Sequence, residues 1–190
     1  MRRTLAMTVV FLLFSSAAYA GEEARLASGE ILVETQDVAG SDIPRVIVKG
    51  VIAAPVERVW HEVSNCERYP GTMPNIESAR EIERRGDTVV CEVVVSLPFP
   101  LSNLTSRTRA THVEGPDRWT RTWTMIEGDW DYKVNDGSWV LTHFQGDSSR
   151  TLAVYTIHAE PNTRVPQRLR NRAQRSSMPG AIEALRDALE

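Results

Sequence analysis

From residue 76 the sequence reads as strand for about 85 residues, broken only by short turn signals, and it then closes on one helical stretch. Arg85-Gly86-Asp87 is a hairpin signal. Beyond it Val89, Cys91, Val93, Val95 and Leu97 alternate onto one face, with Thr88, Glu92 and Ser96 among the residues opposite. The stretch from Asn103 to Glu114 alternates too, with Arg107 and Arg109 on one face and Leu104, Ser106, Thr108 and Ala110 on the other. Arginine prefers solvent, so the small side chains are expected to face inward. Such a face cannot fill the hollow of a curved sheet to ordinary packing density, and something else must occupy the space. Further strands are read at 117–126, 136–145 and 150–159, split by turn signals at Glu114-Gly115-Pro116-Asp117, Asn135-Asp136-Gly137 and Gly146-Asp147. In the first of these Trp119, Trp123 and Met125 share a face with Arg121, which leaves its inner side undecided.

Two apolar, β-branched runs, 30–37 and 45–52, precede this meander. Between them and it, Ala54-Pro55 opens a short helix in which Val56, Val59, Trp60 and Val63 recur at helical spacing, ending near Asn65. The loop YPGTMPN has too many breakers for a long second helix. The terminal helix spans about 24 residues, or roughly 36 Å if straight. Arg164, Arg168, Arg172 and Arg175 stripe its first half, and Ala173, Ser177, Ala181, Ala184 and Ala188 make one side small. Pro179 predicts a kink near Arg175, with Ser176 and Ser177 able to cap the restarted half. Strands, a short helix, a long meander and a final helix make an α+β arrangement, in which small helix residues can leave room for a ligand or merely allow close contact.

At the N-terminus Arg2 and Arg3 precede an apolar run from Leu5 to Phe14, and Ala18-Tyr19-Ala20 supplies small residues where signal peptidase reads. Residues 1–20 are expected to be a secretory signal peptide cleaved after Ala20, leaving 21–190 as a single monomeric domain exported to a periplasm or secreted. That mature chain would carry 20 basic and 25 acidic residues, so nucleic acid is not an expected partner. In an oxidising compartment Cys66 and Cys91 can pair, or stay two buried thiols; their spacing permits either.

The order of elements and three stretches resemble the START domains, the steroidogenic-acute-regulatory-protein-related lipid transfer family of the helix-grip (Bet v 1-like, SRPBCC) superfamily. The stretches are VAGSDIPRVIVKGVIAAPVERVWHEVSNCERYPGTMPNIESAREI, SLPFPLSN and the ending EPNTRVPQRLRNRAQRSSMPGAIEALRDAL. The resemblance covers about residue 27 to 190. It implies a helix-grip fold: a seven- to nine-stranded, curved antiparallel sheet wrapped around a long C-terminal helix, with an internal hydrophobic tunnel for one lipid, sterol or other apolar molecule. Members often follow Pro-x-Ser-Asn with Arg-Asp, whereas Asn103 here precedes Leu104-Thr105, which puts a buried ion pair at that place in question.

The expected function is therefore an exported protein that binds a lipid or other hydrophobic small molecule in an internal cavity and transfers or sequesters it. It is not expected to be an enzyme. The ligand-binding residues are expected to be Val93, Val95, Leu97, Leu104, Ser106, Thr108, Trp123, Met125, Tyr155, Met178, Ala181 and Leu185. Arg164, Arg168, Arg172 and Arg175 would dock transiently on anionic membrane headgroups, or simply form a solvated face. No cofactor or metal is expected, since His61, His112, His143 and His158 fall on separate elements and no zinc, P-loop, dinucleotide or nucleophile-elbow signature occurs. His112 is the best single candidate for an acid or base. A polyketide cyclase or aromatase, as found among relatives of that superfamily, or a ligand-sensing module that transfers nothing, are the competing readings.

Overall fold

The computed structural model describes residues 21–99, 101–128, 131–162 and 178–190. A helical stretch, α1 (21–27), leads into β1 (Leu32–Gln36) and β2 (Arg45–Ile52). Helix α2 (Val56–Ser64), a 3-10 turn (Cys66–Arg68) and one-turn α3 (Tyr69–Thr72) follow. Then come β3 (Ile76–Arg85), β4 (Thr88–Val95), β5 (Leu104–Glu114), β6 (Trp119–Met125), β7 (Tyr132–Phe144) and β8 (Asp147–Pro161), and α4 (Gly180–Leu189) closes the chain. The strands form one curved eight-stranded sheet in the order β1-β2-β8-β7-β6-β5-β4-β3, with every neighbouring pair antiparallel.

Alternation fixes which face is inside. Along β5 Leu104, Ser106, Thr108, Ala110 and His112 are buried, and Arg107, Arg109 and Thr111 between them are exposed. On β6 the inner face, undecided in sequence, is the one that carries Arg121 and Trp123. Helix α2 buries Val56, Val59, Trp60 and Val63 against β6, β7 and β8, as its spacing predicts. Helix α4 lies on β2, and Gly50 permits the approach, because a Cβ there would stand 2.6 Å from Ile182 Cγ2. Arg186 fastens the helix by donating from Nε to Val51 O and from Nη1 to Gly29 O, each at 3.0 Å. Cys66 and Cys91 are disulfide-bonded, tying the 3-10 turn to β4 with 6.4 Å between their Cα atoms.

Two expectations need correction. Asn135-Asp136-Gly137 is no turn but lies inside β7. Its glycine serves packing: a Cβ on Gly137 would come within 2.3 Å of Trp123 Cζ2 and 2.5 Å of Thr156 O. Among the described residues the small face of the terminal helix survives only at Ala181, since Ala184 is half-buried and Ala188 exposed, while the buried face of α4 is Ala181, Ile182, Leu185 and Leu189. The restarted helix begins at Gly180 after Pro179, and Ser176 and Ser177, expected to cap it, lie outside the described residues. The Arg164, Arg168, Arg172 and Arg175 stripe, Ala173, the kink near Arg175 and the leader 1–20 lie outside the described residues.

Candidate functional site

Between the concave face of the sheet, α3 and the start of α4 lies a cavity of about 570 Å³, within the range that takes a small-molecule ligand. It runs along β4. At one end Cys91, Arg121 and Trp139 are almost wholly buried; at the other Leu97, Pro98 and Leu101 stand at the surface in the β4–β5 connection. From Cys91 to Leu97 is six residues of extended chain, or about 20 Å. Next to that mouth Phe99 is 97% exposed.

Of the residues expected to bind ligand, Val93, Val95 and Leu97 line the wall from β4 and the loop after it. Leu104, Ser106 and Thr108 line it from β5, with Trp123, Tyr155, Met178 and Ala181 completing the set. Met125 and Leu185 do not. The β6–β7 ladder ends at Trp123 opposite Gly137, so Met125 lies past it, its N–H held at 3.3 Å by Asp136 Oδ1. Leu185 sits one turn beyond Ala181, where α4 packs on α2 and β2, and belongs to the solid core.

Among the wall residues that the sequence reading missed are Tyr69, Arg121, Asn135 and Trp139. Asn135 was hidden by the false turn signal. Its Nδ2 donates to Ser106 Oγ at 2.6 Å and its Oδ1 accepts from Trp123 Nε1 at 3.3 Å, so it braces three strands across the wall. Tyr155 is sandwiched between Trp139 and Trp123, with ring centroids 4.4 and 6.0 Å away. Burial pushes the Tyr155 phenol above its ordinary pKa; the Tyr69 phenol is raised by burial as well, against the opposing charge of Arg121. Tyr69 donates its hydroxyl proton to Val63 O at 2.9 Å.

Arg121, 2% exposed, is the most buried polar side chain among the described wall residues. Nη1 donates to Ser64 O at 3.0 Å and lies 2.5 Å from His112 Nε2, Nη2 reaches Cys91 Sγ at 3.5 Å, and the guanidinium stands 5.8 Å over the Tyr69 ring. His112 meets Trp60 edge-on at 5.3 Å. Burial first, then the Arg121 charge, pull its pKa from 6.5 down to about 4, so at neutral pH it is an uncharged acceptor for Arg121. It does not stand among the described wall residues, and its role here is to hold an arginine. Among the described residues no group of three or more His, Cys, Asp or Glu is placed to hold a metal ion, and no helix is long and apolar enough to cross a membrane.

A protein-family model described as polyketide cyclase/dehydrase and lipid transport matches residues 52–186. The chain belongs to that family. Solved structures agree on the fold of this family member, which is the START-type helix-grip fold. A STAR-related lipid transfer protein from Xanthomonas axonopodis is similar at 20% identity and a TM-score of 0.73, over 84% of this chain and 93% of that one. Human StAR-related lipid transfer protein 5 is similar at 14% identity and a TM-score of 0.70, over 94% and 95%. An aromatase/cyclase, Zhui from Streptomyces sp. R1128, is similar at 17% identity and a TM-score of 0.59, over 76% and 90%. The sequence has no significant match among curated proteins.

Proposed function

We propose that this protein is an exported carrier that binds one lipid or other hydrophobic small molecule in its cavity and transfers or sequesters it. The observation that carries the reading is the cavity itself: about 570 Å³, walled by apolar and aromatic side chains, with Arg121, Asn135, Ser106 and Thr108 as orienting polar groups. Transfer is supported by the mouth, where exposed Phe99 adjoins the wall residues Leu97, Pro98 and Leu101, an apolar tip suited to touch a membrane. The arginine stripe from Arg164 to Arg175 would add attraction to anionic headgroups. In this reading the chain works as a monomer after cleavage following Ala20.

A cyclase would need a general acid or base at the wall. Among the described wall residues, the phenols of Tyr69 and Tyr155 are pushed toward holding their protons, which makes them poor bases. That supports carriage over proton-transfer chemistry.

Native mass spectrometry of the protein purified from its own host, followed by organic extraction, tests the reading. One apolar molecule per chain is the expected result. A protein at its bare calculated mass that takes up no lipid from vesicles overturns it and moves the weight to the cyclase.

A further inference from the structure

Arg121 is buried at the closed end of the cavity, with no carboxylate bonded to it among the described residues. Its described partners are a carbonyl, an imidazole, a disulfide sulfur and an aromatic face, all uncharged. Burying a guanidinium without a counter-charge is costly, and neutral acceptors offset only part of the cost. Of its five N–H groups, Nη1 commits both to Ser64 O and His112 Nε2, and Nη2 commits one to Cys91 Sγ. Nε–H and the second Nη2–H therefore have no partner among the described residues. Among the described wall residues Arg121 is the one charged side chain. A single positive charge with two donors left over matches a monoanionic, two-oxygen head, which a guanidinium takes in a fork. A phosphate monoester would bring a second negative charge with no second cation among the described wall residues to meet it.

From this end to the mouth, over the roughly 20 Å that six strand residues span, the wall presents Val93, Trp123, Tyr155, Val95 and Leu104, with the uncharged Ser106, Thr108 and Asn135 beside them. We propose that the cavity takes a single-chain amphiphile with a carboxylate head, its head at Arg121 and its tail lying along β4 toward Leu97. The proposal rests on the hydrophobic-ligand reading and adds the class of ligand and its direction. It also gives a reason for the uncharged His112: a protonated imidazole 2.5 Å from Nη1 would repel the guanidinium it now holds.

The test is displacement of Nile red, a neutral apolar dye, from delipidated protein by palmitate and by hexadecanol, which share a chain length and differ at the head. Wild-type protein is expected to prefer palmitate by about tenfold or more, the discrimination a charge-assisted hydrogen bond gives. Arg121→Gln is expected to bring the preference close to unity, and Arg121→Lys to restore part of it. A second measurement needs no variant: in the wild-type complex the Arg121 Nε proton should show nuclear Overhauser contacts to the methylene beside the carboxylate. Equal displacement by the two probes, a preference unchanged in Arg121→Gln, or a carboxylate end in contact with Leu101 instead of Arg121 overturns the proposal and leaves the carrier reading standing. A protein that binds neither Nile red nor either probe overturns both.

Discussion

His112 and Arg121 show how one buried polar pair is kept from being a liability. The arginine needs an acceptor where water cannot reach, and the imidazole is one only while neutral. In the folded protein its pKa is pulled down to about 4; unfolded, it returns near 6.5. A depressed folded pKa means that the unfolded chain binds more protons between those values, so stability is full above about 6.5 and is lost as pH falls toward about 4. The loss attributable to this group is on the order of 3 kcal/mol. His112→Gln keeps an acceptor near Arg121 and cannot titrate. Urea unfolding of the two proteins at pH 7 and pH 4.5 should show the wild type losing about 2 kcal/mol more than the variant. Parallel losses would mean that the histidine is not what holds the arginine.

At the scale of elements the short-helix layer is the part most dependent on a covalent tie. Between α2 and β3 the chain has only a 3-10 turn and the single turn of α3, too few residues to be stable helix by themselves. Yet Tyr69, Met73 and Pro74 form cavity wall there. The Cys66–Cys91 bridge, 25 residues apart in sequence, pins this layer to β4. By loop-closure entropy it stabilises by about 3 kcal/mol. The Cys66→Ser/Cys91→Ser double variant should lose about that much in urea unfolding, and dithiothreitol should destabilise the wild type while leaving the variant unchanged. A variant as stable as the wild type would show that packing alone holds the layer.

This element scale is also where the sequence stops being readable. Alternation along one strand places Ser106 and Thr108 inward, because an arginine at every second position must seek solvent. It cannot place Arg121, an arginine that breaks that rule because Ser64 O and His112 wait for it on other elements. Nor can it tell that Gly137 makes room for Trp123 rather than a turn, since the indole comes from the neighbouring strand. The β-meander, α2 and the loop at 96–103 follow from local pattern. The wall residues Tyr69, Asn135 and Trp139 follow from curvature, which brings separate strands over one hollow.

The whole molecule is a sheet folded over two unlike halves. Under β2, β8 and β7, helices α2 and α4 fill the concave face with Val56, Val59, Ile182 and Leu185, a solid core. Over β4 and β5, where Ser106 and Thr108 are small, and over the stretches of β6, β7 and β8 that carry Trp123, Asn135, Trp139 and Tyr155, the same face covers the cavity instead. A ligand there takes the place that core side chains take elsewhere, and its binding free energy adds to folding free energy by mass action. At a ligand concentration one hundred times the dissociation constant the gain is about 2.7 kcal/mol. In a domain of this size that is a rise of roughly 5–10 °C in Tm. Differential scanning calorimetry of protein before and after delipidation should therefore show the stripped protein melting lower by that amount, with the difference restored on adding back the extracted molecule. An identical Tm with the ligand verified as absent would mean that it does not act as core, and that it sits on the surface rather than between β4 and α3.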